Sequence, residues 1–237
     1  MNPKDIFYTQ YTEHKLHPRT SKSILEKIFH KFYIHREDLA ISLLDSGNRL
    51  LDIGCGDGLL LIKARNKYKS LYGIDIVFSR VEQAKENFRN AGINDFTAKK
   101  EDFNEGLDFE DSFFDAVTMI ATLSFIYDPF YSLKEINRVL KKGGLFIIQV
   151  SNIAYIKYRI KLLFGKLPIT TSPYNWESIG WDGGSLHYFT LSSLKWLLEY
   201  SGFKVEEVKC SGLFSRLRSI WPSLFGGDIC IKARKIK

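Results

Sequence analysis

Residues 50–58, with the sequence LLDIGCGDG, constrain the fold of this chain more than any other stretch. A short apolar run ends in Asp52 and is followed by three glycines at alternate positions, Gly54, Gly56 and Gly58. The apolar run is typical of a buried strand, and the next segment, LLLIKARNKY, has the spacing of a helix. A strand, a glycine turn and a helix open a βαβ unit, in which a ligand can approach the bare backbone closely.

The same alternation continues downstream. The strand patterns SLYGIDI and FFDAVTMI are each followed by a helix pattern, SRVEQAKENFRNAG and PFYSLKEINRVLKKGG, while FTAKKEDF and GLFIIQVS are further strand patterns. This order predicts a parallel sheet built by right-handed crossovers. After residue 151, LSSLKWLLEYSG predicts another helix, and KVEEVKCS and DICIKARK predict two antiparallel strands.

The predicted elements divide the 237 residues into four parts of one α/β domain. Residues 1–46 are predicted as an N-terminal helical lid of two short helices. Residues 47–151 are the ligand-binding core, and residues 152–190 are an insertion on the substrate side. Residues 191–237 supply a C-terminal helix and an antiparallel hairpin that completes the same sheet.

The composition indicates the cellular location and the class of partner of this domain. The three cysteines form no CxxC pair, which favours reduced thiols and a cytoplasmic location. The charged N-terminus does not read as a signal peptide, and no uncharged apolar run is long enough to predict a membrane span. The formal net charge is +7, but the basic residues accompany no nucleic-acid motif, so nucleic acid is not the predicted partner.

Two classes of cofactor compete for the glycine turn. A dinucleotide site has the spacing GxGxxG and places a diphosphate on the helix N-terminus. This chain has GxGxG instead, with Leu59 beyond the last glycine, and its strand ends in the acidic residue Asp52. A carboxylate at that point favours a cationic ligand over a diphosphate.

These nine residues resemble motif I of the class I S-adenosylmethionine-dependent methyltransferases. The stretches YGIDI, KKEDFNEGLDFEDSFFDAV and FDAVTMIATLSFIYDPFYSLKEINRVLKKGGLFII resemble later parts of the same family in the same order. The likeness is strong over residues 48–151 and weak over residues 185–235. It implies a Rossmann-like α/β fold with a seven-stranded, mostly parallel sheet, strand order 3-2-1-4-5-7-6, the last strand antiparallel and helices on both faces. The implied cofactor is S-adenosylmethionine, with S-adenosylhomocysteine as product.

The resemblance also implies roles for individual residues. Asp75 would accept both ribose hydroxyls, Ile76 would line the adenine, and Asp102 would face the adenine amino group, although Asp102 can also be read as a simple turn residue. The turn after Asp52 would hold the methionine moiety. The predicted cofactor-binding residues are Asp52, Gly54, Cys55, Gly56, Asp57, Gly58, Asp75, Ile76, Asp102, Phe103, Ile120 and Ala121.

The acceptor is predicted to be a small molecule methylated at oxygen. The Asn/Asp-Pro-Pro-aromatic signature of amino-methyltransferases is absent after the fourth strand, where the chain reads IATLSF. His187 is the candidate general base, and its alternative role is to cap or pack the following helix. The predicted substrate pocket comprises Tyr8, Tyr11, Trp181, His187 and Tyr188, and no metal site is predicted.

Two basic, apolar segments leave alternatives open. YIKYRIKLLFGK and LFSRLRSIWPSLFGG are interpreted as a lid over the acceptor pocket with dimer contacts; the alternative is a membrane surface serving a lipid-linked or quinone substrate. The stretch RIKLLFGKLPITTSPYNW resembles the MetW group, which implies a second alternative, a non-catalytic regulatory partner protein. WESIGWDGGS departs from that group. The chain is predicted to be a monomer or a homodimer.

Overall fold

The computed structural model describes residues 30–170 and 185–236. The strands are β1 (Tyr33–Ile34), β2 (Gly47–Ile53), β3 (Tyr68–Asp75), β4 (Phe96–Lys100), β5 (Phe114–Ile120), β6 (Leu140–Ser151), β7 (Phe203–Lys209), β8 (Gly212–Leu213) and β9 (Asp228–Lys235). The α-helices are α1 (Arg36–Leu43), α2 (Leu59–Ala64), α3 (Phe78–Asn90), α4 (Pro129–Val139), α5 (Ile156–Leu163), α6 (Leu191–Tyr200), α7 (Ser215–Arg218) and α8 (Pro222–Phe225). Three short 3₁₀ turns occupy His30–Phe32, Phe103–Glu105 and Leu123–Phe125.

Seven strands form one sheet in the order β4-β3-β2-β5-β6-β9-β7. The strands from β4 to β6 in this order pair in parallel, and β9 runs antiparallel to both β6 and β7. Numbered within the sheet alone, this is the order 3-2-1-4-5-7-6, so the predicted topology is confirmed. The carboxyl ends of β2, β3 and β5 therefore meet at one edge, where parallel sheets of this kind bind ligands.

The sheet is buried on both faces by helices. Alternate residues of β6 point in opposite directions: Leu145 and Ile147 belong to the core shared with α1 and α2, whereas Phe146 and Ile148 belong to the core shared with α4 and α6. Burial on both faces explains why the central strands read as continuous apolar runs. The predicted placement of helices on both faces is confirmed.

Two predicted helices end earlier than the sequence pattern indicates. The pattern of residues 129–144 predicts one helix, but α4 ends at Val139, and β6 begins at Leu140, which pairs with Phe114. An irregularity in the β5–β6 pairing follows, and Gly143 within it has φ of 74°. The helix predicted after the glycine turn likewise ends at Ala64, because the chain is already extended as β3 from Tyr68.

The described part of the N-terminal region is built into the core. In α1, Leu39, Ala40 and Leu43 are buried against the sheet. The short strand β1 pairs antiparallel with β8, a contact that the sequence analysis did not predict. Residues 1–29 of the predicted helical lid lie outside the described residues, and the domain boundaries stay a prediction.

Candidate cofactor and acceptor site

The glycine turn joins β2 to α2 with three left-handed residues. Gly54, Gly56 and Gly58 have φ of 76°, 54° and 76°. A Cβ at Gly54 would lie 2.2 Å from the Thr122 Oγ1 atom, and one at Gly58 would lie 2.9 Å from the Phe88 ring, so close packing demands glycine at both positions. A Cβ at Gly56 would meet nothing within 4 Å. The backbone at Gly56 therefore borders open space that a ligand can fill.

Asp75 ends β3 and fixes this turn from the neighbouring strand. Its Oδ2 atom accepts a hydrogen bond from the Gly56 N–H at 2.9 Å, and its Oδ1 atom accepts from the Val77 N–H at 2.9 Å. Each carboxylate oxygen has a second lone pair, so Asp75 retains the capacity to accept from two further donors. A ribose diol supplies two such donors, and charge-assisted bonds of this kind are strong.

Asp52 is a buried carboxylate that lies under the turn at the end of β2. It pairs in register with Thr118 of β5, whose hydroxyl donates to the Asp52 Oδ1 atom at 2.7 Å. Burial raises the pKa of Asp52 to about 7; the Thr118 bond opposes this rise, and the charge of Asp75 adds to it. A buried carboxylate surrounded by other carboxylates disfavours an anionic ligand and suits a cationic one.

Asp102 lies after β4, near the same edge. Its Oδ1 atom accepts hydrogen bonds from the Asn104 N–H at 3.0 Å and from Asn104 Nδ2 at 2.9 Å, and it caps the turn Phe103–Glu105. Asp102 therefore has the role of a turn residue, which was the alternative interpretation from the sequence. Phe103 is buried in the core, and the contact of Asp102 with an adenine amino group stays a prediction.

The end of β5 has an unusual backbone. Ala121 has φ of 56°, and its N–H donates to the Gln149 carbonyl oxygen at 2.9 Å. A left-handed conformation costs a non-glycine residue about 1–2 kcal/mol and persists only where the surroundings enforce it. It turns the chain out of the sheet after Ile120, at the predicted position of the methionine moiety.

Cys55 lies in the turn but packs behind it. Its side chain is buried, and a Cβ on Gly73 of β3 would lie 2.8 Å from its sulfur atom. Burial raises the pKa of the Cys55 thiol well above its usual value, so the group is kept neutral. Cys55 therefore supports the turn through packing.

His187 lies beside the loop that follows β5. The N–H groups of Leu186 and His187 both donate to the Ser124 carbonyl oxygen, at 2.8 and 3.2 Å. The His187 Nε2 atom is 3.2 Å from the Tyr127 carbonyl oxygen. Because a carbonyl only accepts hydrogen bonds, this contact assigns the proton of the neutral ring to Nε2 and leaves Nδ1 as the basic atom.

Of the other residues predicted to line the substrate pocket, only Tyr188 lies within the described ranges. Tyr188 is half-exposed, and Phe189 pairs with Asn152 at the end of β6. The segment that carries His187 thus runs across the carboxyl ends of β5 and β6. Tyr8, Tyr11 and Trp181 lie outside the described residues.

Sequence reasoning missed three polar residues of this edge. Thr118 bonds Asp52, Thr122 packs against Gly54, and Gln149 is buried with its Nε2 donating to Asp228 Oδ2 at 3.1 Å. For Thr118 and Gln149 the available signal was a polar side chain inside the apolar strand patterns FFDAVTMI and GLFIIQVS, whereas Thr122 follows the first pattern and carried no such signal. A polar group placed in such a strand near its carboxyl end is a candidate for the ligand site.

Residues 30–170 and 185–236, the described ranges, contain no cluster of His, Cys, Asp and Glu that could hold a metal ion. No helix within them is long and apolar enough to cross a bilayer.

A sheet of this order, an open glycine turn with Asp75 bonded to it, and the buried Asp52 are the features expected of a class I S-adenosylmethionine-dependent methyltransferase. A family model described as "Methyltransferase domain" matches residues 25–208, more than half of the chain, and the chain belongs to this family. The chain is therefore a methyltransferase with S-adenosylmethionine as cosubstrate.

The chain is similar to several characterised proteins. It is 33% identical to sterol 4-C-methyltransferase strm-1 of Caenorhabditis elegans over 57% of this chain and 40% of that protein. It is 28% identical to the ubiquinone/menaquinone biosynthesis C-methyltransferase UbiE of Pectobacterium carotovorum subsp. carotovorum over 73% and 74% of the two chains. A S-adenosylmethionine-dependent methyltransferase structure from Methanosarcina mazei matches with a TM-score of 0.62 and 25% identity, covering 84% and 97%. The MetW likeness is not specifically supported by these matches.

The raised pKa of Asp52 predicts a pH dependence of stability. Between about pH 4 and pH 7 the native state retains a proton that the unfolded state has lost, so the free energy of unfolding falls as pH rises through this window. Asp52→Asn keeps the shape and the acceptor for Thr118 but cannot ionise. Urea unfolding at pH 5 and pH 8 is expected to show a smaller loss of stability in Asp52→Asn than in the wild type. An unchanged loss would contradict this assignment, and Asp108→Asn, at a highly exposed aspartate, is the control.

Proposed function

We propose that the chain methylates the oxygen of an acidic hydroxyl on a ring, such as a phenol or a reduced quinone. The observation that supports this acceptor is the orientation of His187. Its Nε2–H is used by the Tyr127 carbonyl, so Nδ1 is the atom able to take a proton at the carboxyl end of β5. A hydroxyl is a poor nucleophile until it loses its proton, so a base at this place is useful for such an acceptor.

Each residue of the site has a separate role in the proposed reaction. When bound, S-adenosylmethionine supplies an electrophilic methyl group, and the cofactor carries the difficult chemistry. Asp75 and the Gly56 backbone hold the nucleoside end, Asp52 favours the cationic end, and His187 takes the proton of the acceptor. The main contribution of the protein is the alignment of the two reactants.

The names of the similar proteins support a ring acceptor, but they specify carbon, and not oxygen, as the methylated atom. Both the sterol enzyme and the ubiquinone/menaquinone enzyme are named C-methyltransferases. A phenolate is nucleophilic at oxygen and at the adjacent ring carbon, but attack through carbon gives a dienone, and a base must then remove the ring proton while the oxygen is protonated again. His187 accounts for one proton, which is why oxygen is proposed.

The test is methyl transfer to hydroxylated rings. The purified chain is incubated with isotope-labelled S-adenosylmethionine and 1-naphthol or reduced menadione, and the product is located by mass spectrometry and NMR. A methyl ether is the expected product. A ring-methylated product would replace oxygen by carbon as the acceptor atom. Binding of S-adenosylhomocysteine without transfer to any hydroxylated ring would overturn the acceptor class.

The regulatory alternative is weighed by the same assay. A non-catalytic partner protein has no need of the intact set of Asp52, Asp75 and the open Gly56 backbone, which this chain retains. A stable protein complex from cell extract, with no methyl transfer to any extract component, would favour that alternative. The cytoplasmic location also stays a prediction, supported by three buried free thiols.

A further inference from the structure

Helix α5 turns an apolar stripe toward solvent. Ile160, Leu163 and Phe164 follow the spacing i, i+3, i+4 and are 49%, 80% and 73% exposed. A stripe with this spacing faces the core in an ordinary surface helix. None of the residues of α5 is buried, so this stripe is directed away from the body of the protein.

The connection between β7 and β9 repeats this arrangement. Leu217 of α7 and the residues Ile220 and Trp221, which link α7 to α8, are 63%, 80% and 57% exposed, and they form the second apolar stripe. Phe214, which precedes α7, has φ of 53°. A bulky residue holds this left-handed conformation only when its surroundings enforce it, so contacts with the rest of the protein fix the backbone of this segment.

Specific contacts join the two segments that carry these stripes. Asn152 is fully buried; its Nδ2 atom donates to the Gly226 carbonyl at 2.8 Å, and its N–H donates to the Gly227 carbonyl at 3.0 Å. The Arg218 guanidinium lies 5.9 Å from the centre of the Tyr155 ring at the start of α5.

Residues 30–35 form a third segment that contacts the second. The Phe214 N–H donates to the Phe32 carbonyl at 3.0 Å, and the two rings are 5.8 Å apart. Residues 30–35, 152–170 and 210–227 together form what we call the basic rim.

The basic rim carries a charge that the rest of the chain does not have. Its three segments contain no Asp or Glu and seven basic residues: Lys31, Lys157, Arg159, Lys161, Lys166, Arg216 and Arg218. The whole chain has 34 Lys and Arg against 27 Asp and Glu, a formal net charge of +7. Outside the basic rim the charges therefore sum to zero, 27 of each sign, and the formal excess charge of the chain lies in the rim.

We propose that the basic rim docks on the surface of an anionic lipid bilayer. Outward apolar stripes interleaved with Lys and Arg have the composition of segments that lie in a membrane interface. A symmetric dimer through the rim would bring two surfaces of the same positive charge together, which is unfavourable. A lid over the acceptor pocket would turn the apolar stripes inward, whereas they face out.

The position of the rim gives the docking a consequence for the site. β6 ends at Ser151, directly before the second rim segment, and Ser151 pairs with Asp228, directly after the third. The rim therefore adjoins the sheet edge that carries Ala121 and His187. Docking brings this edge close to the lipid, where an apolar acceptor would be concentrated. The docking itself does not depend on the identity of the acceptor.

Vesicle co-sedimentation of the full chain tests the proposal. Vesicles of phosphatidylcholine alone are compared with vesicles that also contain phosphatidylglycerol, at low and at physiological salt. The expected result is roughly tenfold or greater preference for the anionic vesicles, weakened by salt. Equal sedimentation with both compositions, or none with either, would overturn it.

Matched variants separate the rim from net charge. Lys157→Glu, Lys166→Glu and Arg216→Glu are combined in one variant, and Lys134→Glu, Lys142→Glu and Lys204→Glu in another. All six positions are exposed, and both variants reach the same net charge. The rim variant is expected to lose binding by roughly tenfold or more while the other retains most of it. Equal loss in both would overturn the assignment to the rim.

A third variant tests the apolar stripes. Leu163→Asp combined with Ile220→Asp changes two side chains that are each 80% exposed, so folding and S-adenosylhomocysteine binding are expected to stay unchanged. Loss of vesicle binding with the same mass in solution supports docking on lipid. A wild type that sediments as a dimer and becomes a monomer in this variant, without a change in vesicle binding, would assign the rim to a protein interface and overturn the proposal.

Discussion

Replacing Asp75 with alanine is expected to weaken the binding of S-adenosylhomocysteine by about 100-fold or more. The side chain accepts from the Gly56 and Val77 N–H groups, so it holds the turn and presents its remaining lone pairs toward the space beside Gly56. Removal therefore breaks the two hydrogen bonds that order the turn, and with them the two proposed hydrogen bonds to the ribose. Isothermal titration calorimetry measures the affinity directly.

Two controls separate the ribose contact from general damage. Asp108→Ala removes an exposed aspartate and should leave affinity unchanged. An S-adenosylhomocysteine analogue without the ribose 2′-hydroxyl completes a double-mutant-type cycle: the loss caused by Asp75→Ala should be smaller for the analogue than for the natural ligand. If Asp75→Ala stays folded and binds within threefold of the wild type, the assignment of Asp75 is wrong.

The topology was predictable because the informative signals are local. Glycines at positions 54, 56 and 58 mark the turn, and the patterns of the central strands β2, β5 and β6 are apolar because these strands are buried on both faces. Alternation of strands and helices then allows few topologies. The three glycines cannot be distinguished in the sequence, but their roles in the structure differ. Gly54 and Gly58 are closely packed against neighbouring side chains, whereas the backbone at Gly56 borders open space.

The features that escaped prediction depend on distant partners. The end of α4 at Val139 follows from the pairing of Leu140 with Phe114, which the helical pattern through residue 144 does not reveal. The left-handed backbone of Ala121 is held by the Gln149 carbonyl of the neighbouring strand. The outward direction of the α5 stripe is likewise invisible in a helical pattern, because the pattern gives the stripe and not the face it turns to the core.

His187 gives the sharpest test of the chemistry on the acceptor side. Replacement by alanine removes both the proposed base and the contact with the Tyr127 carbonyl, and is expected to lower the rate of methyl transfer by about 10²- to 10⁴-fold. S-adenosylhomocysteine affinity should stay unchanged, because Asp75 and the glycine turn, the groups proposed to hold that ligand, are intact in this variant. Single-turnover methyl transfer at saturating acceptor measures the effect. His35→Gln, at a histidine before α1, is the control and should retain the wild-type rate.

His187→Gln distinguishes a base from a positioning residue. The glutamine amide can donate to the Tyr127 carbonyl as Nε2–H does, but it cannot take a proton from the acceptor. A base predicts that His187→Gln is as slow as His187→Ala, and that the deficit shrinks for a nitrophenol-type acceptor already ionised at the assay pH. Recovery of the wild-type rate in His187→Gln with an un-ionised acceptor would show that His187 acts only by holding the loop after β5.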